Sequence, residues 1–157
     1  MKTRILSLFA MAAAAVSLQA QAPDAAGAEQ EVRAVVARMF DAMRARDTAA
    51  LRTVFDSGAR LVTTRMRNGA PESEVTPIGN FIQVVATAAP GQLLDERLSN
   101  TEVKVSDNLA AVWTDYRFYV GERFSHCGVD SFQLARGPGG WRIIALADTQ
   151  RPAPQCQ

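Results

Sequence analysis

The chain has 157 residues, 48% hydrophobic and 21% charged, with 17 basic against 16 acidic side chains. That suits one ordinary globular domain. A formal charge of +1 without a basic patch argues against nucleic acid or an anionic membrane as partner.

Residues 1–20 have a basic start (Lys2, Arg4), an apolar run from Ile5 to Val16 and a small-residue end. This is the pattern of a secretory signal peptide, too short and too alanine-rich to span a bilayer stably. Cleavage after Ala20 is preferred to cleavage after Ala22, which would leave Pro23 first. Losing Lys2 and Arg4 with the segment turns the formal charge to −1. No cysteine follows the apolar run, so no membrane anchor is expected, and the mature chain should be periplasmic or secreted.

Residues 21–28 read as a disordered Ala/Gly/Pro linker. From Glu29, apolar residues at Val32, Val35, Val36, Met39, Phe40 and Met43 predict a helix ending near Arg46. Asp47 should cap a second helix, Thr48–Phe55, with Ser57-Gly58 as its stop. Arg60–Arg67 and Glu72–Thr76 read as a hairpin around Asn68-Gly69, and Pro77–Ala89 as a third helix. Four antiparallel strands follow: Leu94–Ser106, Leu109–Val120, Arg123–Arg136 and Trp141–Gln150. The expected architecture is an α+β cone, a strongly curved antiparallel sheet wrapped around N-terminal helices, over residues 29–151. Residues 152–157 form a tail carrying Cys156. The only other cysteine is Cys127, and an even count in an exported chain favours a Cys127–Cys156 disulfide. Such a bridge would stabilise the fold by about 3.5 kcal/mol through loop closure.

The last three strands carry most of the polar chemistry. Tight turns at Gly121-Glu122 and Gly137–Gly140 set Val120 opposite Arg123 and Arg136 opposite Trp141. Unbroken pairing then places Arg117 against His126, Trp113 against Asp130, Phe132 against Ala145 and Gly128 against Thr149. One face would hold Trp113, Asp115, Arg117, Tyr119, His126, Asp130, Phe132 and Thr149 as a ligand-binding cluster. Trp113, Tyr119 and Phe132 could stack on a planar ligand or simply form core. Asp115, Arg117 and Asp130 could recognise a polar ligand or form a cross-strand salt-bridge network. His126, the only histidine, is the candidate general acid/base with Asp130 or Asp115, against a purely structural role. No metal-ligand spacing, cofactor motif or nucleophile elbow occurs. The opposite face (Val112, Tyr116, Phe118, Val129, Ile144, Leu146) is apolar enough to be covered by a second copy.

With this order in place, Ala45–Leu61 and Gly140–Leu146 resemble the opening and closing segments of the nuclear-transport-factor-2-like (NTF2-like) superfamily. The whole domain resembles its small exported SnoaL-like and lumazine-binding-like members. The runs His126–Phe132 and Ala147-Asp148-Thr149 resemble an uncharacterised bacterial subset. The resemblance implies a cone fold and a cavity, but the superfamily hosts isomerases, dehydratases and plain binding modules alike. In ketosteroid-isomerase-type members the base, tyrosine donor and protonated aspartate would fall on Thr63, Met39 and Phe132. None of these can perform those roles. The expectation is therefore a small-molecule-binding cone. A lyase or isomerase using His126, or a dimeric interaction module, are the alternatives.

Overall fold

A computed structural model describes residues 25–89 and 91–156; residues 1–20 and the first four linker residues lie outside them. Three helices, α1 (Ala25–Ala45), α2 (Thr48–Val54) and α3 (Ile78–Thr87), pack on one sheet. Its strands are β1 (Phe55–Arg67), β2 (Ala70–Pro77), β3 (Leu94–Ser106), β4 (Leu109–Val120), β5 (Arg123–Gly137) and β6 (Gly140–Pro152). They lie in the order β2-β1-β6-β5-β4-β3, with β1 parallel to β6 and every other pair antiparallel. The architecture is the expected α+β cone.

α1 starts four residues before Glu29, inside the expected linker, because alanine at 25, 26 and 28 favours helix. Its stripe of Val32, Val35, Val36, Met39, Phe40 and Met43 is buried against the concave face, as the spacing predicts. Phe40 meets Phe132 edge-to-face at 6.1 Å. Glu31 accepts from Trp141 Nε1 at 3.1 Å and pairs with Arg136 at 3.2 Å, tying α1 to the β5–β6 hairpin. Asp47 caps α2 by accepting from the Ala50 amide at 2.9 Å. Arg46, in the left-handed region at φ 54°, donates to the carbonyls of Ala88, Ala89 and Gln92 beyond α3. Ser57-Gly58 does not end an element; it forms an irregularity inside β1, between the pairs made by Phe55 and Arg60.

Both tight turns set the expected first pairs, Val120 with Arg123 and Arg136 with Trp141. Each ladder then bulges by one residue. Phe118 pairs with His126 while Tyr119 pairs with Phe124, leaving Ser125 extra. Leu134 pairs with Ile143 while Gln133 pairs with Ala145, leaving Ile144 extra. A one-residue bulge swaps the phase of everything beyond it. Val112 therefore opposes Phe132, Thr114 opposes Asp130, and Asp148 opposes Asp130 from the other side.

The Cys127–Cys156 disulfide is present, with Cα atoms 5.8 Å apart. It holds the tail on the outer face, where Arg117 Nη1 donates to the Cys156 carbonyl at 3.4 Å. The same guanidinium lies 4.3 Å over the Phe124 ring.

Gly128 marks the closest approach of the backbones. A Cβ there would sit 1.7 Å from the Thr149 carbonyl oxygen and 2.6 Å from the Tyr116 ring. Gly128→Ala should therefore destabilise the protein by at least about 1–3 kcal/mol, the range for overpacking. Chemical denaturation would check this, and an unchanged midpoint would show that β6 can move aside freely.

Candidate functional site

The concave face and the helices enclose a cavity of about 330 Å³. Its walls are apolar: Met39, Phe40 and Met43 from α1, Phe81, Val84 and Val85 from α3, with Leu61, Leu94, Phe118 and Leu146 from the sheet. Into it project Thr63 of β1, Glu96 of β3, Tyr116 of β4, His126 and Asp130 of β5, and Asp148 of β6. The same strands turn Leu61, Leu94, Phe118, Phe132 and Leu146 inward, so this polarity is not forced by exposure.

Asp130 is 2% exposed, and its Oδ2 accepts no hydrogen bond from any described donor. The carboxyl of Glu96 lies within hydrogen-bonding reach of it. Two carboxyls can bond only if one keeps a proton. Burial pushes Glu96 well above the usual carboxyl range, with the Asp130 charge and hydrogen bond adding to it. Burial likewise pushes Asp130 up to about 7. Asp148 is raised by burial too, opposed by hydrogen bonds from Thr63 and Tyr116 and by the charge of Arg65. The Tyr116 hydroxyl donates to the Thr149 carbonyl at 3.0 Å and approaches Asp148 Oδ2 at 3.4 Å. Burial and the three surrounding carboxyls hold it protonated.

His126 packs 4.8 Å from the Phe118 ring and edge-on to Tyr116 at 5.7 Å. The Gln150 amide nitrogen lies 3.1 Å from Nε2 and donates to it, so the ring proton sits on Nδ1, 3.0 Å from Ser125 Oγ. Burial lowers its pKa. No carboxylate orients the ring. The expected pairing of His126 with Asp115 or Asp130 as an oriented acid/base is not formed.

The structure brings His126, Asp130 and Phe132 to the concave side and leaves the rest of the expected cluster on the other. Trp113 opposes Ser131, not Asp130, and is 55% exposed. Asp115 accepts from Asn100 Nδ2 at 2.8 Å, Arg117 clamps the tail, and Tyr119 lies under the Arg97 guanidinium. Thr149 turns outward, its Oγ1 accepting from the Val129 amide at 3.0 Å. Conversely Val112, Tyr116, Phe118 and Leu146, expected on the outer face, belong to the core or the cavity wall, while Ile144 is the extra residue of its bulge. The cause is the pair of bulges. Tyr116 and Asp148 were missed for the same reason, and Glu96 because β3 has its own irregularity between Ser99 and Glu102, so that the inward phase read from Val103 and Val105 does not run on unbroken to Glu96. One signal could have found Tyr116: in β4 the phase Ala110, Val112, Thr114, Tyr116, Phe118 carries no charge while the other holds Asp115 and Arg117, and a face packed on helices takes the less polar phase.

The model of the family described as "Putative lumazine-binding" matches residues 27–147. The chain belongs to this lumazine-binding-like family. Its structural neighbours are NTF2-like proteins, which agrees with the cone. One is an NTF2-like protein of unknown function from Shewanella baltica OS155, 15% identical with TM-score 0.62, covering 79% of this chain and 94% of that one. Another, of unknown function from Silicibacter pomeroyi DSS-3, is 21% identical with TM-score 0.58, covering 78% and 94%. A third, from Streptomyces avermitilis, is described as a "putative dehydratase from the NTF2-like family"; it is 15% identical with TM-score 0.59, covering 81% and 98%. These likenesses carry the fold alone. No curated protein matches the chain in sequence. In this lumazine-binding-like domain Thr63 and Met39, two of the three isomerase-type positions, do line the cavity. Its carboxyls come from other positions.

The carboxyl pair gives a signed pH dependence. Asp130 has an ordinary value of 3.8 and a folded value of about 7, so the folded state holds its proton more tightly. Its contribution to stability is fully present below about pH 4 and lost as pH rises towards 7. His126, lowered by burial, acts in the opposite sense: its contribution falls as pH drops through 6.5. Asp130→Asn should therefore flatten the decline in melting temperature between about pH 4 and 7, relative to the unaltered protein. Identical slopes for the two proteins would show that Asp130 does not titrate in this window.

Proposed function

We propose that this domain binds a small, largely apolar molecule in the cone, with a polar end of the ligand against Asp130 and Glu96. The observation that carries the reading is the Asp130 carboxyl, buried in the wall of an apolar cavity, with its Oδ2 left without a hydrogen-bond partner among the described residues. A buried polar atom left without a partner costs about 1–3 kcal/mol. A fold under no other demand would replace it. The cavity volume suits a molecule of small-metabolite size, and the family description points the same way. In this reading Phe118, Tyr116 and His126 form the aromatic wall, and Phe132 backs Phe40 beneath it.

A second reading, a lyase or isomerase, is favoured by one feature: Asp130 loses its proton close to neutral pH, which suits a general acid or base. There the acid/base pair would be Asp130 and Glu96, with Tyr116 as donor and His126 confined to the wall.

We further infer that residues 1–20 direct export to the periplasm or beyond, where the Cys127–Cys156 bridge forms. The outer face, with Trp113 and Met66 exposed beside Val129, is the surface on which a second copy would pack.

Native mass spectrometry of the purified protein should show a retained ligand and report the oligomeric state together. Asp130→Leu should leave the melting temperature unchanged or raised while abolishing retention. A clear drop in melting temperature with retention intact would reject the pocket and favour a structural network. Thiol titration of denatured, unreduced protein recovered from outside the cytoplasm should find no free sulfhydryl. Two free thiols per chain would end the export-and-bridge reading.

A further inference from the structure

Three carboxyls converge on the polar end of the cone from three strands: Glu96 on β3, Asp130 on β5 and Asp148 on β6. No lysine or arginine lines the cavity among the described residues. The nearest cations are committed elsewhere. Arg44 of α1 pairs with Asp41 and Asp95 and reaches only the backbone carbonyl of Glu96. Arg65 of β1 pairs with Glu72 and Glu74 on the hairpin, touching Asp148 only through its field. From α1 and α3 the groups facing the cluster are Met39, Phe40, Met43, Phe81, Val84 and Val85, none of them titratable. The remaining titratable neighbours are Tyr116, held as a neutral hydroxyl, and His126, held neutral with both ring nitrogens occupied. Glu96, Asp130 and Asp148 are not arranged as a metal-ligand set.

Resting on the small-molecule reading above, we propose that the ligand is a small apolar primary amine whose ammonium group seats among Asp130, Glu96 and Asp148. Two observations support the seat independently: the convergence of uncompensated carboxyls, and the Asp130 Oδ2 that no described donor reaches. An ammonium supplies three N–H donors and the missing charge. Tyr116 and Phe118 present ring faces or edges to the same volume, which suits an alkylammonium carrying an aromatic or aliphatic tail. The exchange balances. In the empty cone Asp130 and Glu96 keep a proton between them; the ammonium takes its place, and that proton leaves to solvent.

Titration calorimetry with phenylpropylamine, phenylpropanol and phenylpropionate tests this, since the three share a tail and differ in the charge of the head. Near neutral pH the amine should bind about tenfold or more tighter than the alcohol, and the acid more weakly than either. Repeating the amine titration in buffers of different ionisation enthalpy should show protons released, with no variant required. Asp130→Asn should bring amine affinity down to that of the alcohol. Equal affinity for amine and alcohol, or amine binding without proton release, would overturn the cation seat while leaving a small-molecule pocket standing. Failure of all three probes to bind would overturn both readings.

Discussion

Burying the concave face of a bent six-stranded sheet against α1 requires each central strand to turn its more apolar phase inward. In the β4–β5 and β5–β6 pairs the turns alone would not deliver that match. Counting outward from Val120–Arg123 without interruption would set the polar phase of β4 against the inward phase of β5. Ser125 and Ile144 absorb one residue each, and the apolar phases come into line. Val112 and Leu146, buried on either side of Phe132, depend on that correction, at about 1.5–3 kcal/mol apiece. So does the path of β6, which crosses Gly128 closely enough that only glycine fits. Bulges also bend and twist the strand that carries them, and the same two residues therefore contribute to the curvature that makes a cone.

The bulges decide the electrostatics of the cone as well. By bringing Asp148 opposite Asp130 and Tyr116 opposite Gly128, they put Asp148 where an uninterrupted ladder would have put Ala147, and the uncharged Tyr116 where it would have put Asp115. Nothing cationic comes with them. Two buried carboxyls without a counter-ion cannot both ionise cheaply, so the pair keeps a proton. Tyr116 is then fixed as a donor by the Thr149 carbonyl and Asp148 rather than by solvent.

Much of the fold was legible because its signals are local. The α1 stripe, the Asp47 cap, the Asn68-Gly69 turn and the bounds of β3 and β4 each follow from residues within a few positions of one another. The cysteine pair was legible from the even count together with the export pattern expected of residues 1–20. The candidate site was legible only in part, at His126, Asp130 and Phe132, because those lie on one strand and share its phase whatever the neighbours do. Trp113, Asp115, Arg117, Tyr119 and Thr149 were assigned through a pairing register. Register is a non-local property, and a bulge at a serine or an isoleucine leaves no mark in composition. The parallel pairing of β1 with β6 is equally non-local, and it brings Thr63 to the pocket wall.

The residues displaced from the cone have a use on the other side. Arg117 sits opposite Cys127, donates to the Cys156 carbonyl and covers Phe124, so cation, disulfide and ring fasten the tail at one point. That fastening reaches the cavity through β6. Pro152 pairs with His126, and Gln150 holds the imidazole Nε2 from the adjoining strand. The orientation of the one histidine in the wall thus depends on a strand end that the bridge keeps from fraying. His126 packs edge-on to Tyr116, with burial lowering its pKa. The carboxyl pair is the group in this cone whose proton burial holds above the ordinary carboxyl range.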